Sequence, residues 1–376
     1  MTAIPRFDPA ADLAADWREG LWLGRIDRGE GPTPVLVAHG VVHDMARVAP
    51  TVAELVAARA FDPTAGEAIG DAATLDATWL APIDLQCVKA AGVTFAVSTL
   101  ERVIEEAARG DAGAAQAVRA KLEARIGGGL RSVAPGSDAA AALKAGLIED
   151  GLWSQYLEVA IGPDAEIFTK APVLSSVGHG ATIGVRSDST WNNPEPEIVL
   201  VVAPDGAIVG ATLGNDVNLR DFEGRSALLL GKAKDNNASC ALGPLIRLFD
   251  DGYTLDDVRA AEVTLTIDGA DGYRLDGTSS MREISRDPAE LTRQALSEHH
   301  YPDGFVLFCG TLFAPTQDRD DPGRGFTHKA GDTVAIAEPK LGRLVNRVAT
   351  SKDAPAWEFG IAALMRNLAR RGLIGA

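Results

Sequence analysis

The sequence predicts an α+β fold, and three observations along the chain support that class. Residues 20–56 contain short apolar runs separated by Gly and Pro turns, which is typical of strands followed by a short helix. Residues 99–160 are rich in alanine and charged residues at helical spacing, and beyond residue 165 β-branched runs alternate with turns. We therefore expect a small N-terminal α+β domain over residues 1–80 and a larger domain over residues 81–376.

The helical segment is expected to be an insertion in the larger domain, at about residues 99–160. Over residues 99–124, apolar and alanine positions recur among Glu and Arg, and three glycines at 127–129 end the pattern. A second, alanine-rich helix is expected over roughly residues 137–160.

The strand-rich part of the chain follows this insertion. Its β-branched segments are EIFTKAP, EIVLVVAPDGAIVGATLGNDV, EVTLTIDG, YRLDGTSS, FVLFCGTLF and DTVAIAEPKLGRLVNRV. The APDG stretch lies between two apolar runs and predicts a hairpin, because Pro, Asp and Gly favour tight turns. This part is therefore expected to be a mostly β domain.

Composition and charge exclude several classes of protein. The chain has 376 residues, 46% of them hydrophobic, which is enough for a large core. Its formal net charge of -16 disfavours nucleic acids and anionic membranes, both of which attract basic surfaces. The N-terminus has no apolar segment flanked by basic residues, and no later segment offers about 18 uninterrupted apolar residues. We expect a cytoplasmic protein without a membrane or nucleic-acid partner.

The stretch NNPEPEIVLVV, residues 192–202, places two glutamates at the beginning of an apolar strand. Glu195 and Glu197 are two residues apart, so in a strand both side chains point to the same face. Residues 198–202 are apolar enough to be buried on both faces, where two like charges are costly unless a cation lies between them. The alternative is an exposed strand end with two solvated carboxylates.

A third carboxylate, Asp216, lies on the strand that returns from the predicted hairpin, in the segment GNDVNLRD. Antiparallel return would bring Asp216 beside the two glutamates. Three converging carboxylates form an oxygen site suited to Mg²⁺ or Mn²⁺. The alternative is that Asn215 and Asp216 are ordinary turn residues.

Five segments together resemble the fumarylacetoacetate hydrolase family, namely EPEIVLVV, GNDVNLRD, KDNNASCALGP, FCGTLF and GDTVAIAEPKLGRLVNRV. The resemblance covers roughly residues 85–348. It implies a mixed β-roll of the family's C-terminal type and assembly as a homodimer or homotetramer. It also implies that Glu195, Glu197 and Asp216 hold the divalent cation, Mg²⁺ or Mn²⁺.

Four further residues are candidates for the site, two of them, Lys234 and Thr311, through this resemblance. Lys234 heads KDNNASCALGP, where the family has a lysine at the metal site; it would have a lowered pKa or act as a fixed cation. Arg220 would bind a carboxylate with two hydrogen bonds, and Thr311 matches the family's Gly-Thr segment that contacts the ligand. Phe95 is a candidate wall of the pocket. The alternatives are a solvated lysine, a salt bridge from Arg220, and structural roles for Thr311 and Phe95.

Two departures from the hydrolases of this family favour a dehydratase. Ser98 stands in GVTFAVSTLER where the carbon-carbon hydrolases have a histidine, while Glu101 keeps the acidic position. Serine cannot act as a general base without a base of its own, which argues against activation of water. Ser98 and Glu101 also fit a capping box at the start of a helix. The second departure is Glu166, an acid that the hydrolases do not characteristically carry.

The chain length, the helical insertion and these departures are similar to the sugar-acid branch of the family. This resemblance implies Mg²⁺-dependent dehydration of a 2-keto-3-deoxy-pentonate (2-keto-3-deoxy-D-arabinonate, the same compound as the xylonate derivative) to 2,5-dioxopentanoate in pentose oxidation. Lys234 or Glu166 would take the C3 proton, and Glu101 or Glu166 would protonate the departing hydroxyl group. The alternatives are an acylpyruvate or fumarylacetoacetate-type hydrolase and a non-catalytic protein that binds a 2-keto acid.

Overall fold

The computed structural model describes residues 7–95, 99, 103, 133–151, 153–313, 317–320 and 325–374. The first helix predicted for the insertion, at residues 99–124, lies outside the described residues except for two positions. Ser98 and Glu101 also lie outside them. The roles predicted for these two residues therefore stay predictions.

Strands dominate the described part of the chain. In chain order they are β1 (Leu21–Asp27), β2 (Pro32–Ala38), β3 (Val41–Asp44), β4 (Glu67–Asp71), β5 (Thr78–Trp79), β6 (Cys87–Gly92), β7 (Glu166–Ala171), β8 (Thr182–Val185), β9 (Asn192–Asn193), β10 (Pro196–Val202), β11 (Ile208–Asp216), β12 (Asn218–Leu219), β13 (Cys240–Leu248), β14 (Glu262–Asp268), β15 (Arg274–Ser280), β16 (Phe305–Phe308), β17 (Thr333–Glu338) and β18 (Gly342–Thr350).

Eleven of the described strands form one large sheet. Its order is β4-β3-β2-β1-β13-β11-β10-β16-β6-β7, and β5 pairs with β1 beside this path. The strand β10 is buried along its whole length, as the apolar run predicts, and it pairs antiparallel with β11. The connecting turn is closed by a hydrogen bond from the Gly206 N–H to the Ala203 carbonyl, at 2.9 Å. The hairpin predicted at APDG is confirmed.

A second sheet of five described strands, in the order β15-β14-β17-β18-β8, packs against the large one. The main hydrophobic core lies between the two sheets. It joins Ile198 and Leu213 of the large sheet to Leu265 and Ile336 of the smaller sheet, and each of these residues is at most 1% exposed. The two sheets with short flanking helices confirm the predicted α+β class.

The helices of the described residues are short. They are α1 (Pro9–Asp12), α2 (Val52–Ala58), α3 (Asp138–Glu149), α4 (Gln155–Ile161), α5 (Arg220–Glu223), α6 (Leu230–Lys234), α7 (Leu255–Ala260), α8 (Pro288–Leu296) and α9 (Ile361–Arg370).

The prediction of one helix over residues 137–160 is wrong, because the segment forms α3 and α4 with a break between them. Gly151 adopts a positive φ of 66°, a left-handed conformation that ends α3. Ser154 then begins α4, since its side chain accepts a hydrogen bond from the Tyr156 N–H at 3.1 Å. Among the described residues, no helix is long and apolar enough to span a membrane.

The strands of the predicted N-terminal domain extend the large sheet. β1 pairs with β13 in antiparallel register, with Trp22 opposite Arg247 and Leu23 opposite Ile246. The central hairpin therefore has the N-terminal strands on one side, beyond β13, and β16, β6 and β7 on the other. The division of the chain into two domains near residue 80 stays a prediction.

Candidate metal centre

The β10–β11 hairpin brings the three predicted carboxylates to one end of the large sheet. Glu195 immediately precedes β10, Glu197 lies in it, and Asp216 is the last residue of β11. Glu197 is opposite Gly214 in the antiparallel register. The Asp216 N–H donates to the carbonyl of Glu195 at 3.0 Å. The backbone pairing of the hairpin thus holds all three residues at the same level of the sheet.

Glu195, Glu197 and Asp216, called the triad below, each direct one carboxylate oxygen to a common point. These three oxygens all lie within 4.8 Å of one another. The residues are 8%, 2% and 2% exposed, so the alternative of a solvated strand end is wrong. Asn215 is a fully buried strand residue rather than a turn residue, and its side-chain oxygen accepts a hydrogen bond from the Glu195 N–H at 3.1 Å. The predicted convergence is confirmed.

Two buried lysines approach the triad. The Lys234 Nζ lies 2.5 Å from the Glu195 Oε2 and 3.0 Å from the Asp216 Oδ2. The Lys170 Nζ lies 2.8 Å from the Asp216 Oδ1 and donates to the carbonyl oxygens of Val217, at 3.2 Å, and of Lys234. The side chains of Lys170 and Lys234 are 0% and 5% exposed, so the solvated-lysine alternative for Lys234 is wrong.

Lys170 is a site residue that sequence reasoning missed. β7 has a bulge at Lys170, because Thr169 is opposite Lys89 and Ala171 is opposite Val88, which leaves Lys170 as the extra residue. The Lys234 ammonium lies 5.7 Å from the centre of the Phe168 ring, so this part of β7 borders the triad. No local signal in the sequence marks Lys170, since the bulge interrupts the alternation of side chains along the strand.

Glu166, which is predicted to take part in proton transfer, lies on the same strand. It begins β7, is half-buried, and is opposite Gly92 of β6. Its carboxylate occupies the space above Gly92, where a larger side chain would collide with it. Along the strand, Glu166 is two residues from Phe168, a distance of about 7 Å. Glu166 is thus two residues from the ring that the Lys234 ammonium approaches.

The two lysines bind the carboxylates of the triad unequally: Asp216 contacts both lysines, whereas Glu197 contacts neither. Burial and the charges of Asp216 and Glu195 raise the pKa of Glu197 well above its usual range. Burial also raises the pKa of Asp216, but Lys170 and Lys234 outweigh it and the net pKa is lowered. Among the described residues, the Glu197 side chain is in no ion pair; it accepts a hydrogen bond from the Gly310 N–H at 2.6 Å. Glu197 is thus the buried acid that lacks a cation.

Lys234 is a fixed cation in this arrangement. Burial lowers its pKa, but the charges of Asp216 and Glu195 raise it by more, so the net shift is upward. Of the two roles predicted for Lys234, the structure supports the charged form and not the lowered pKa.

The three residues predicted to contact the substrate, Arg220, Thr311 and Phe95, lie in different parts of the structure. Arg220 begins α5, is buried, and places its guanidinium 4.3 Å from the centre of the Trp191 ring. Thr311 follows Gly310, the donor to Glu197, and its hydroxyl accepts from the Phe313 N–H at 3.1 Å. Phe95 is 0% exposed and belongs to the main core, which supports its structural alternative rather than a pocket wall.

The ligand atoms of the triad fit a small divalent cation. All three are carboxylate oxygens, the donors that Mg²⁺ and Mn²⁺ prefer, and one of them belongs to the unpaired Glu197. A cation bound among these oxygens would offset the repulsion between the two glutamates, Glu195 and Glu197, at the start of a buried strand. Fold and site together define a metal-binding protein built on a two-sheet α+β scaffold.

Comparison with known proteins identifies the family. Residues 154–349 match the model of the fumarylacetoacetate (FAA) hydrolase C-terminal family. The chain therefore belongs to the fumarylacetoacetate hydrolase family, as the sequence motifs predict.

Two curated relatives and a solved structure are similar to the chain. A probable 2-keto-3-deoxyxylonate dehydratase of Haloferax volcanii is 29% identical over 82% of this chain and 87% of its own. The 2-dehydro-3-deoxy-D-arabinonate dehydratase of Saccharolobus solfataricus is 34% identical over 49% of this chain and 58% of its own. A 2-keto-3-deoxy-D-arabinonate dehydratase solved with magnesium and 2,5-dioxopentanoate has a TM-score of 0.60 and 22% identity, and the match covers 88% of this chain and 98% of that one. At that identity, the solved structure establishes the likeness of fold.

Proposed function

We propose that the chain is a Mg²⁺-dependent dehydratase that converts 2-keto-3-deoxy-D-arabinonate to 2,5-dioxopentanoate and water, a step of pentose oxidation. The observation that carries the proposal is the buried triad beside Lys234. The names of the two curated relatives support the substrate. The magnesium and 2,5-dioxopentanoate bound to the solved relative support the metal and the product.

Glu195, Glu197 and Asp216 would hold the cation. Bound Mg²⁺ supplies a Lewis acid for the carboxylate and keto oxygens of the 2-keto acid and stabilises the negative charge formed when a C3 proton leaves. Thr311 would contact the substrate carboxylate, because it follows the glycine that binds Glu197. Arg220 would provide a second, cationic contact from the buried end of α5.

Dehydration needs a base at C3 and an acid at the C4 hydroxyl group. Lys234 contacts the triad directly, at the end of the site where the 2-keto acid group would bind. Glu166 begins the strand that carries Phe168 and Lys170, and we propose that C4 and C5 extend toward it. Because Lys234 is held as an ammonium, which cannot accept a proton, we propose that Glu166 takes the C3 proton and that Glu101 or Glu166 protonates the departing hydroxyl group. Proton shifts after loss of water then convert the C5 alcohol carbon to an aldehyde.

A coupled assay for 2,5-dioxopentanoate tests the proposal. The protein is incubated with 2-keto-3-deoxy-D-arabinonate in Mg²⁺ or after removal of metal by EDTA, with acylpyruvate in parallel. We expect aldehyde only with the sugar acid and Mg²⁺. Cleavage of acylpyruvate instead would establish the hydrolase alternative, and binding of pyruvate without turnover of either substrate would establish a non-catalytic protein.

The proposal includes the assembly and the location of the protein. The family resemblance supports a homodimer or homotetramer, which light scattering of the purified chain would measure. The proposed location is the cytoplasm, which cell fractionation would test.

A further inference from the structure

A cavity of about 530 Å³ lies beside β1 and the loop that precedes β8. This volume falls in the range of small-molecule binding sites. Aromatic side chains of Phe7, Trp79 and Phe359 form part of its wall. None of its lining residues belongs to the triad or to the residues proposed above for dehydration. The dehydratase reaction therefore does not account for this cavity.

Arg25 of β1 borders the cavity and is only 6% exposed. Among the described residues, its Nε and Nη1 atoms have no hydrogen-bond partner. A buried guanidinium with unused N–H groups is costly, because it has left water without a replacement acceptor. Burial accordingly lowers the pKa of Arg25, and the charges of Asp84 and Asp27 oppose this shift without cancelling it.

The two carboxylates whose charges act on Arg25 are already engaged with backbone N–H groups. Asp84 accepts hydrogen bonds from the first residues of α2, at 2.6 Å from the Val52 N–H and 3.0 Å from the Ala53 N–H. Asp27 accepts from the Gly29 N–H at 2.7 Å. Within the described residues, Arg25 thus borders a cavity with a charge that no carboxylate binds directly.

We propose that this cavity binds a small organic monocarboxylate with an aromatic or apolar body. The enclosed guanidinium of Arg25 would turn toward the cavity and donate hydrogen bonds to the carboxylate. The rings of Phe7 and Trp79, with centroids 4.7 Å apart, would pack against the body of the ligand. Asp27 also lines the cavity and disfavours a dianion such as phosphate, because a second negative charge would meet its carboxylate.

Isothermal titration with phenylacetate tests the site, with phenylacetamide as the uncharged analogue. Both titrations are made in EDTA, so that a cation at the triad does not contribute. We expect saturable binding of phenylacetate and at least tenfold weaker binding of phenylacetamide, since a hydrogen bond to a charged group contributes about this factor or more. Arg25→Met should weaken phenylacetate binding to the same extent.

The matched control is Arg18→Met, which removes an arginine whose side chain is 51% exposed and which does not line the cavity. It should leave phenylacetate binding unchanged. If Arg25→Met does not fold, Ala77→Trp keeps Arg25 and fills the cavity from its half-buried edge, and it should also abolish binding. Absence of saturable binding, equal affinity for the amide, or unchanged affinity in a folded Arg25→Met or Ala77→Trp variant would overturn the proposal.

Discussion

Replacing Lys170 with methionine should destabilise the protein through the metal centre. The change removes the ammonium 2.8 Å from the Asp216 Oδ1, and both side chains are at most 3% exposed. Removing one partner of a buried ion pair costs about 3–5 kcal/mol, because the other charge stays buried. Lys234 still contacts Asp216 at 3.0 Å, so we expect a cost at the lower end of this range, about 3 kcal/mol. The carbonyl oxygen of Val217 also loses a donor, which adds about 1 kcal/mol.

Urea unfolding in EDTA measures this loss, and we expect the free energy of unfolding to fall by about 4 kcal/mol. Addition of Mg²⁺ should recover part of the loss, because the cation supplies positive charge beside Asp216 and binds only the folded chain. Lys232→Met is the matched control: Lys232 is exposed, and its loss should cost less than about 1 kcal/mol. A loss below about 1 kcal/mol for Lys170→Met would refute the assignment of Lys170 as a support of the triad.

Three further predictions follow from the site and from a buried histidine. Asp216→Ala, like EDTA treatment of the wild type, should abolish aldehyde formation, and normal turnover after rigorous chelation would contradict the metal site. Glu166→Gln should lower kcat by about 100-fold or more, the usual contribution of a general acid or base, while calorimetry shows Mg²⁺ binding unchanged; retained turnover would exclude Glu166 from proton transfer. Burial lowers the pKa of His328 below its ordinary value of 6.5, and Asp332, 3.2 Å away, does not compensate. Because the unfolded chain then binds the proton more tightly, the contribution of His328 to stability is complete above pH 6.5 and decreases below it. Urea unfolding between pH 7.5 and 5.5 should show a smaller loss for His328→Gln than for the wild type, and equal losses would contradict the shift.

The triad was predictable because each step rests on local rules. Strand alternation puts Glu195 and Glu197 on one face, and the APDG turn returns the chain in antiparallel register, which brings Asp216 to the same level. The break between α3 and α4 was not predicted, because Gly151 was read as part of an alanine-rich pattern and its positive φ is not visible in the spacing. The pairing of β1 with β13 could not be predicted from the sequence either, since it joins residues more than two hundred positions apart.

Lys170 shows why the rest of the centre could not be read from the chain. Its contacts are to Asp216 and to the carbonyl oxygens of Val217 and Lys234, which are 46 to 64 positions away in sequence. No local sequence pattern predicts these contacts, because the position of β7 relative to the triad depends on the strand order of the whole large sheet. Phe95 was a candidate for the pocket wall with a core position as the alternative, and its burial in the main core supports the alternative.

The charge count at the centre argues for the class of ligand as well as for the metal. The triad carries three negative charges when ionised, and Lys170 and Lys234 supply two positive ones, which leaves a net charge of about −1 in a buried site. Glu223, whose charge also acts on Lys234, and Arg220 are both buried in α5, and their opposite charges leave this count unchanged. Burial is the first cause of the raised pKa of Glu197, and the charges of Asp216 and Glu195 add to it. A divalent cation changes the net charge to about +1, which a 2-keto acid with its single carboxylate would neutralise. A neutral sugar would leave the excess positive charge in place, so this centre favours a monoanionic acid over an uncharged substrate.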